Sequence, residues 1–395
     1  SIPMQKESGP VIYLDNHSAA RPCASTLERM KPYLFDHWGA GFAPHRMGQE
    51  LMAALDSRYQ ALYDLVGATS DDTCVFTSSG AEAVNQALWS VFLQSAKKEG
   101  KCHFIVSSLE DLPTLQMMHR LEEFGCFVKT APLLPSGQID VEALSSLISP
   151  RTALVSVTMA DGLTGVLQPI EEIAQLCREK GALLHLEASY AIGKLSFSFA
   201  DLGADYLSFS GDRMHALKSS GALFAKAGKP LSPLILGGSE QAGLRGGAFD
   251  IPSFMGLAAA AGQSALFLDR MSLETARLRD LFEYELLKQI PKAVSPFADQ
   301  LRLPNVSVLS FPGAHAEALL YLLNKKGLYA SLGGPFSQSL SYLLQLMNID
   351  ASLAEASISF SLSRYTTEEE ILRAIGLVAE AVSHLHTLSE QVVSC

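Results

Sequence analysis

Short apolar runs that end in turn formers alternate with longer stretches in which apolar residues recur every three or four positions. Cys74 to Thr77 predicts a strand, followed by Ser78-Ser79-Gly80-Ala81 and a helix from Glu82 to Leu93 or beyond. His103 to Ser107 leads to a helix from Pro113, and Thr152 to Thr158 leads to one from Pro169 to Lys180. Leu183 to Leu186 runs into Glu187, and Tyr206 to Ser210 runs into Gly211-Asp212-Arg213, with a further strand from Gly221. Gln49 to Gly67 reads as a helix through Leu51, Leu55, Tyr59, Leu62 and Leu65. Such alternation predicts an α/β fold whose mainly parallel sheet is covered on both faces, with right-handed crossovers.

A long helix from about Pro252 is expected to join a large α/β domain, residues 11–252, to a smaller α+β domain, residues 253–395. The smaller part should hold a strand at Val306 to Phe311, a helix at Ala316 to Lys325, a helix from Ser339 and a strand at Ser357 to Leu362. Thr366 and Glu369 read as the capping box of the last helix. Ile371, Ile375, Val378, Val382 and Leu385 line one of its faces.

Composition narrows the picture. The 395 residues are 48% hydrophobic and 18% charged, as in an ordered globule, and the net charge of -11 argues against nucleic acid or anionic membrane as partners. The most apolar run, Met255 to Leu268, is short for a bilayer span and contains Gln263 and Ser264, so it reads as a buried helix. The opening residues lack a basic start followed by an apolar block. Six cysteines lie scattered without a C-x-x-C pair, which points to free thiols in a reducing, cytoplasmic compartment and away from zinc. Cys74 and Cys102 are expected as small buried thiols, and Cys395 as an exposed one.

The turn at Ser78-Ser79-Gly80-Ala81 opens a helix, where free backbone N–H groups can hold a phosphate. Together with other segments it carries a resemblance. Tyr13-Leu14-Asp15-Asn16, the loop from Trp38 to Gly48, Ser208 to Arg213, Gly237 to Ala248, and Phe360 to Glu370 follow in the order seen in NifS/IscS-like cysteine desulfurases. The resemblance covers Val11 to about Leu388. It implies the large-domain fold of pyridoxal phosphate-dependent transferases (class V aminotransferase type, with a seven-stranded-type sheet), and it implies a homodimer.

The same resemblance assigns places to the chemistry, and the residues depart from it. The Schiff-base lysine place is Arg213, whose guanidinium stays protonated and cannot form an aldimine. Lys218, the nearest amine in sequence, reads as a loop lysine. The place of the acid on the pyridine nitrogen is Glu187, which could instead be a rim carboxylate paired with an arginine. The ring-stacking histidine place is Asp111, and the glutamine place is Tyr190. Around the phosphate, Gly80, Ala81 and Ser210 remain, while the histidine place is Asp212 and the partner-subunit threonine place is Ala248. A like charge ~4 Å from a phosphate costs about 4 kcal/mol at an effective dielectric of 20. The asparagine near the substrate falls at Asp161, the carboxylate-binding arginine at Ser359, and the nucleophilic cysteine at Phe336.

Three readings follow. The first is a desulfurase-fold protein without covalent cofactor that acts by binding, with Arg213 reaching Glu187 or Asp111 and Tyr190 filling space. Its expected partner is a protein of sulfur or iron–sulfur metabolism. The second is a residual pyridoxal phosphate enzyme of the desulfurase, lyase or class V aminotransferase kind, with cofactor held non-covalently by Ser210, Gly80 and Glu187. The third is a binder of another phosphorylated metabolite at the Gly80 helix start.

Overall fold

The computed structural model describes residues 10–394; Cys395 and the opening residues lie outside that range. Eleven strands run in chain order: β1 Ile12–Tyr13, β2 Thr73–Thr77, β3 His103–Ser107, β4 Phe127–Ala131, β5 Thr152–Thr158, β6 Leu183–Glu187, β7 Tyr206–Ser210, β8 Gly221–Ala225, β9 Val306–Ser310, β10 Leu328–Tyr329 and β11 Ser357–Ser361. Seven of them form one sheet in the order β2-β8-β7-β6-β5-β3-β4. Only β8 runs against the others, because the ten residues after β7 are too few for a crossover helix. All six parallel strands therefore end at one edge of the sheet.

Alternate side chains of the strands feed two apolar layers. Phe76, Ile105, Val155, Leu207, Phe209 and Phe224 pack on one face with the helices Tyr59–Val66 and Ile251–Leu266. Val75, Phe104, Leu154, Tyr206 and Leu223 pack on the other with Gly80–Val91 and Leu112–Glu123. β4 shows no apolar run in the sequence because it is an edge strand with Phe127 exposed.

A further core joins Leu278, Phe282, Leu309, Leu319, Leu323, Ile358 and Phe360 to Ile371, Ile375, Val378 and Val382 of the Glu368–Val393 helix. Ile12 and Leu14 belong to this cluster, and β1 pairs with β10, not with the large sheet. The Glu368–Val393 helix has the length and mean hydropathy of a membrane span. Its docked face accounts for those buried apolar residues.

Four sequence expectations differ from the structure. The stretch 49–67 is two helices, Arg46–Asp56 and Tyr59–Val66, the second closed by Gly67 at φ 65°. The long helix after Pro252 stops at Leu266, and the following Leu268–Gln289 segment turns away by 54°. The final capping box is Thr367 with Glu370, one residue later than read, because the Thr366 hydroxyl is already accepting from the Ser363 N–H at 2.9 Å. Cys74 and Cys102, expected as buried thiols, are both only half-buried.

Candidate functional site

The carboxyl edge of the sheet collects most of the residues singled out in the sequence. After β7 the chain tightens into a single turn, Gly211–Met214, where a Cβ on residue 211 would lie 2.1 Å from Ser220 Oγ. His215 closes that turn at φ 70°, a conformation non-glycine residues seldom adopt. Its Nδ1–H donates to Arg21 O at 2.8 Å, and its own carbonyl accepts from Cys23 N and Thr26 Oγ1, both at 2.9 Å. Arg213 is thereby held inward, 9% exposed.

Arg213 Nη1 donates to Asp212 Oδ1 at 2.7 Å, and the same oxygen accepts from Ser210 Oγ at 2.7 Å. Its guanidinium carbon lies 4.7 Å from the ring centre of Phe336 and 5.7 Å from that of Tyr190, within cation–π range. Among the described residues its ion pair is with Asp212; the expected reach to Glu187 or Asp111 is not made. The adjacent carboxylate is simply nearer.

Tyr190 donates its hydroxyl to Asp111. Burial pushes the Asp111 carboxyl up to about 7, with Asp161 and Glu187 adding repulsion. The Tyr190 ring is stacked on His17, with centroids 4.9 Å apart and planes 10° apart, and His17 also meets Phe336 at 5.6 Å. Neither His17 nitrogen has a hydrogen-bond partner. Burial, with Arg213 nearby, lowers that imidazole to about 3, so it is neutral. Sequence reasoning missed His17; the one signal was its place directly after Asp15-Asn16 in the opening motif. It also missed Glu110, fully buried, which accepts from Ser107 Oγ and from Thr158 N at 3.0 Å and is raised to about 8 by burial.

Glu187 is not a rim carboxylate paired with an arginine. It is buried and accepts from Ser189 N at 2.6 Å and Ser208 Oγ at 2.9 Å, because its longer side chain folds back over the strand end. Asp161 caps its own turn, accepting from Thr164 N at 2.8 Å. Ser359 is buried on β11 and donates to Leu163 O at 2.6 Å, so it braces that turn. The loop around Phe336 is tied to the end of β3 by Leu112 N to Phe336 O at 2.8 Å and Gln338 Nε2 to Ser108 O at 2.7 Å.

At the Gly80 helix start, Ser79 caps the Glu82 N–H at 3.1 Å, and Glu82 Oε1 accepts from Ser78 N at 3.1 Å. Arg245 forks onto the same carboxylate at 2.7 and 3.1 Å. The helix end therefore already holds an anion, a side chain of its own first turn. Ala81 and Ala248 are exposed, and Lys218 is an exposed loop lysine. Thus Arg213, Asp212, Ser210, Tyr190, Asp111 and Phe336 form one connected cluster with His17, Glu187 joins through Ser189, and Ala248 stands apart.

A family model described as aminotransferase class-V matches residues 12–373. The chain belongs to this family. A cysteine desulfurase of Nostoc sp. is 35% identical over 382 residues, covering 96% of this chain and 94% of that protein. The cysteine desulfurase NifS of Azotobacter vinelandii is 34% identical over 381 residues, with the same coverage of 96% and 94%. A solved structure described as a NifS-like protein superposes with a TM-score of 0.88 at 29% identity, covering 95% of this chain and 100% of that one.

Class-V relatives of the desulfurase type imply pyridoxal phosphate, and the residues present here do not fit it. Where the sequence resemblance puts the lysine, Arg213 is paired with Asp212. The positions that would surround the ring touch one another instead, with Tyr190 bonded to Asp111 and stacked on His17. The helix end that would take the phosphate carries Glu82, and Ser210 gives its hydroxyl to Asp212. Half-buried Lys194 lies close by, its Nζ donating to Arg213 O at 2.6 Å.

Proposed function

We propose that this class-V family protein has left cysteine desulfuration and acts by binding, as a cytoplasmic homodimer that engages a protein of sulfur or iron–sulfur metabolism. One observation carries the reading: Arg213 stands in the amine place, paired with Asp212 and covered by the rings of Phe336 and Tyr190. A guanidinium cannot form the covalent link, and a buried cation with a paired carboxylate is a settled structural unit. Phe336 in place of the thiol and Ser359 in place of the carboxylate-binding cation support the same reading, since each removes a separate function. The homodimer is supported by the relatives and by exposed Leu34, Phe35, Trp38 and Phe42, a run of apolar side chains beyond what an isolated surface usually shows.

The test is absorbance of the purified protein in excess pyridoxal phosphate, followed by borohydride reduction, peptide mapping, and assay of alanine release from cysteine. The expected result is no aldimine band, no reduced lysine adduct and no alanine. A lysine fixed to the cofactor would overturn the reading, and so would cofactor-dependent alanine release.

A further inference from the structure

A second space borders Arg213, separate from the stacked rings. This small internal pocket is lined by Lys194, Arg213 and Arg364, with His215, Ser264 and Ser363 among its polar walls, and no carboxylate lines it. Arg364 is 3% exposed and has no acid partner among the described residues. Its Nη atoms reach Ser264 Oγ at 3.3 Å and Tyr365 Oη at 3.1 Å, and its guanidinium lies 4.6 Å from the centre of the Phe267 ring.

Counting donors leaves a gap. The Nε–H groups of Arg213 and of Arg364 are both buried without an acceptor. Lys194 uses one hydrogen on Arg213 O and keeps two. His215 donates from Nδ1 and is kept neutral by burial and by Arg364. An unmet buried donor costs about 1–3 kcal/mol, and buried cations call for a counter-charge; Asp212 is the one acid in direct contact with Arg213 among the described residues, and none touches Arg364 or lines the pocket. The space left for the centre of a water-sized occupant is about 10 Å³, close to the ~10–15 Å³ that one water needs. A phosphate or a carboxylic acid is too large; a single-atom ion fits.

We propose that the pocket is a binding site for a small monovalent anion of the chloride class, held between Lys194, Arg213 and Arg364. The site stands whether or not the chain retains any catalysis. A water would meet the free donors but leave the cations uncompensated, whereas a halide does both. The groups that set the charge of Lys194 are Arg213 and Arg364, which oppose it, and Asp212, which favours it; with burial they bring its amine down to about 7. A bound anion favours the protonated amine, so binding weakens as pH rises through neutrality.

The test is thermal unfolding of the full chain with chloride titrated against gluconate, which is too bulky for the pocket, at constant ionic strength. The expected result is a midpoint that climbs by roughly 2 °C per tenfold chloride above saturation and does not move in gluconate. Crystals grown in bromide should show an anomalous peak between Lys194 and Arg364. Lys194→Met, the least buried of the three positions, should fold and lose the chloride response. Equal curves in the two salts would overturn the proposal, as would a water at the site with no halide peak, or a full chloride response in Lys194→Met.

Discussion

Two turns stand side by side at the carboxyl edge of the sheet, one at Gly80 and one at Gly211, and they have parted ways. At the first, backbone meets backbone. A Cβ on residue 221 would lie 2.5 Å from the Ser79 carbonyl carbon, and one on residue 80 would lie 3.1 Å from Ser210 N. At the second, Gly211 is likewise needed, yet the side chains that follow it, Asp212 and Arg213, are not those of the desulfurase motif. The motif is matched where it packs the main chain and departed from where it would supply chemistry. Sheet and helix need the glycines and not the reactive groups, so the fold alone does not carry the reaction.

The largest effect that could break this contrast comes from Arg213→Met. It strands Asp212 in a buried setting and should cost about 3–5 kcal/mol in denaturant unfolding. Adding Asp212→Asn should recover more than half of that loss. A neutral Arg213→Met would mean that the buried pair contributes nothing to the fold. Gly221→Ala pushes against rigid main chain and should cost about 1–3 kcal/mol. If it were silent, the retained glycines would need another explanation.

Glu110 sharpens the comparison through pH. Its carboxyl keeps its proton to about 8 in the folded chain, whereas an unfolded glutamate releases it near pH ~4. Between those values folding takes up a proton. The contribution of this group is therefore most favourable below about pH 4, falls as pH rises, and levels off above about 8. Glu110→Gln should gain stability relative to the parent steadily across that window, as read from melting temperatures in a buffer series. A constant difference would show that the carboxyl is ionised throughout. The smallest effect is expected from Ser359→Ala, which loses only the bond to Leu163 O and should cost about 0.5–1.5 kcal/mol with no change in ligand binding. A larger loss would give Ser359 a role that its geometry does not suggest.

The sheet was legible because its strands are buried on both sides and so read as apolar runs between turns. β4 escaped because an edge strand has no such run, and the break at Ser57 escaped because apolar periodicity continues across it. Most positions of the cluster could be named from motif order, but not their partners. Nothing in the sequence says that Arg213 turns to its neighbour Asp212, that Glu187 folds back to Ser208 on the adjacent strand, or that His17 fills the stack, since motif order places residues without fixing their rotamers or partners.

His17 reaches the stack on chain that belongs to the second core. It follows β1, which is hydrogen-bonded to β10 through Ile12 N to Gly327 O and Leu14 N to Tyr329 O, and its own N–H is fastened to Ser361 Oγ at 2.7 Å. The ring that stacks on Tyr190 is thus carried by chain rooted in the other core. Any swing of that core against the large sheet must either draw His17 out from between Tyr190 and Phe336 or unzip β1 from β10. The short strand works as a bolt: it ties the ring stacked on Tyr190 to the packing of the other core.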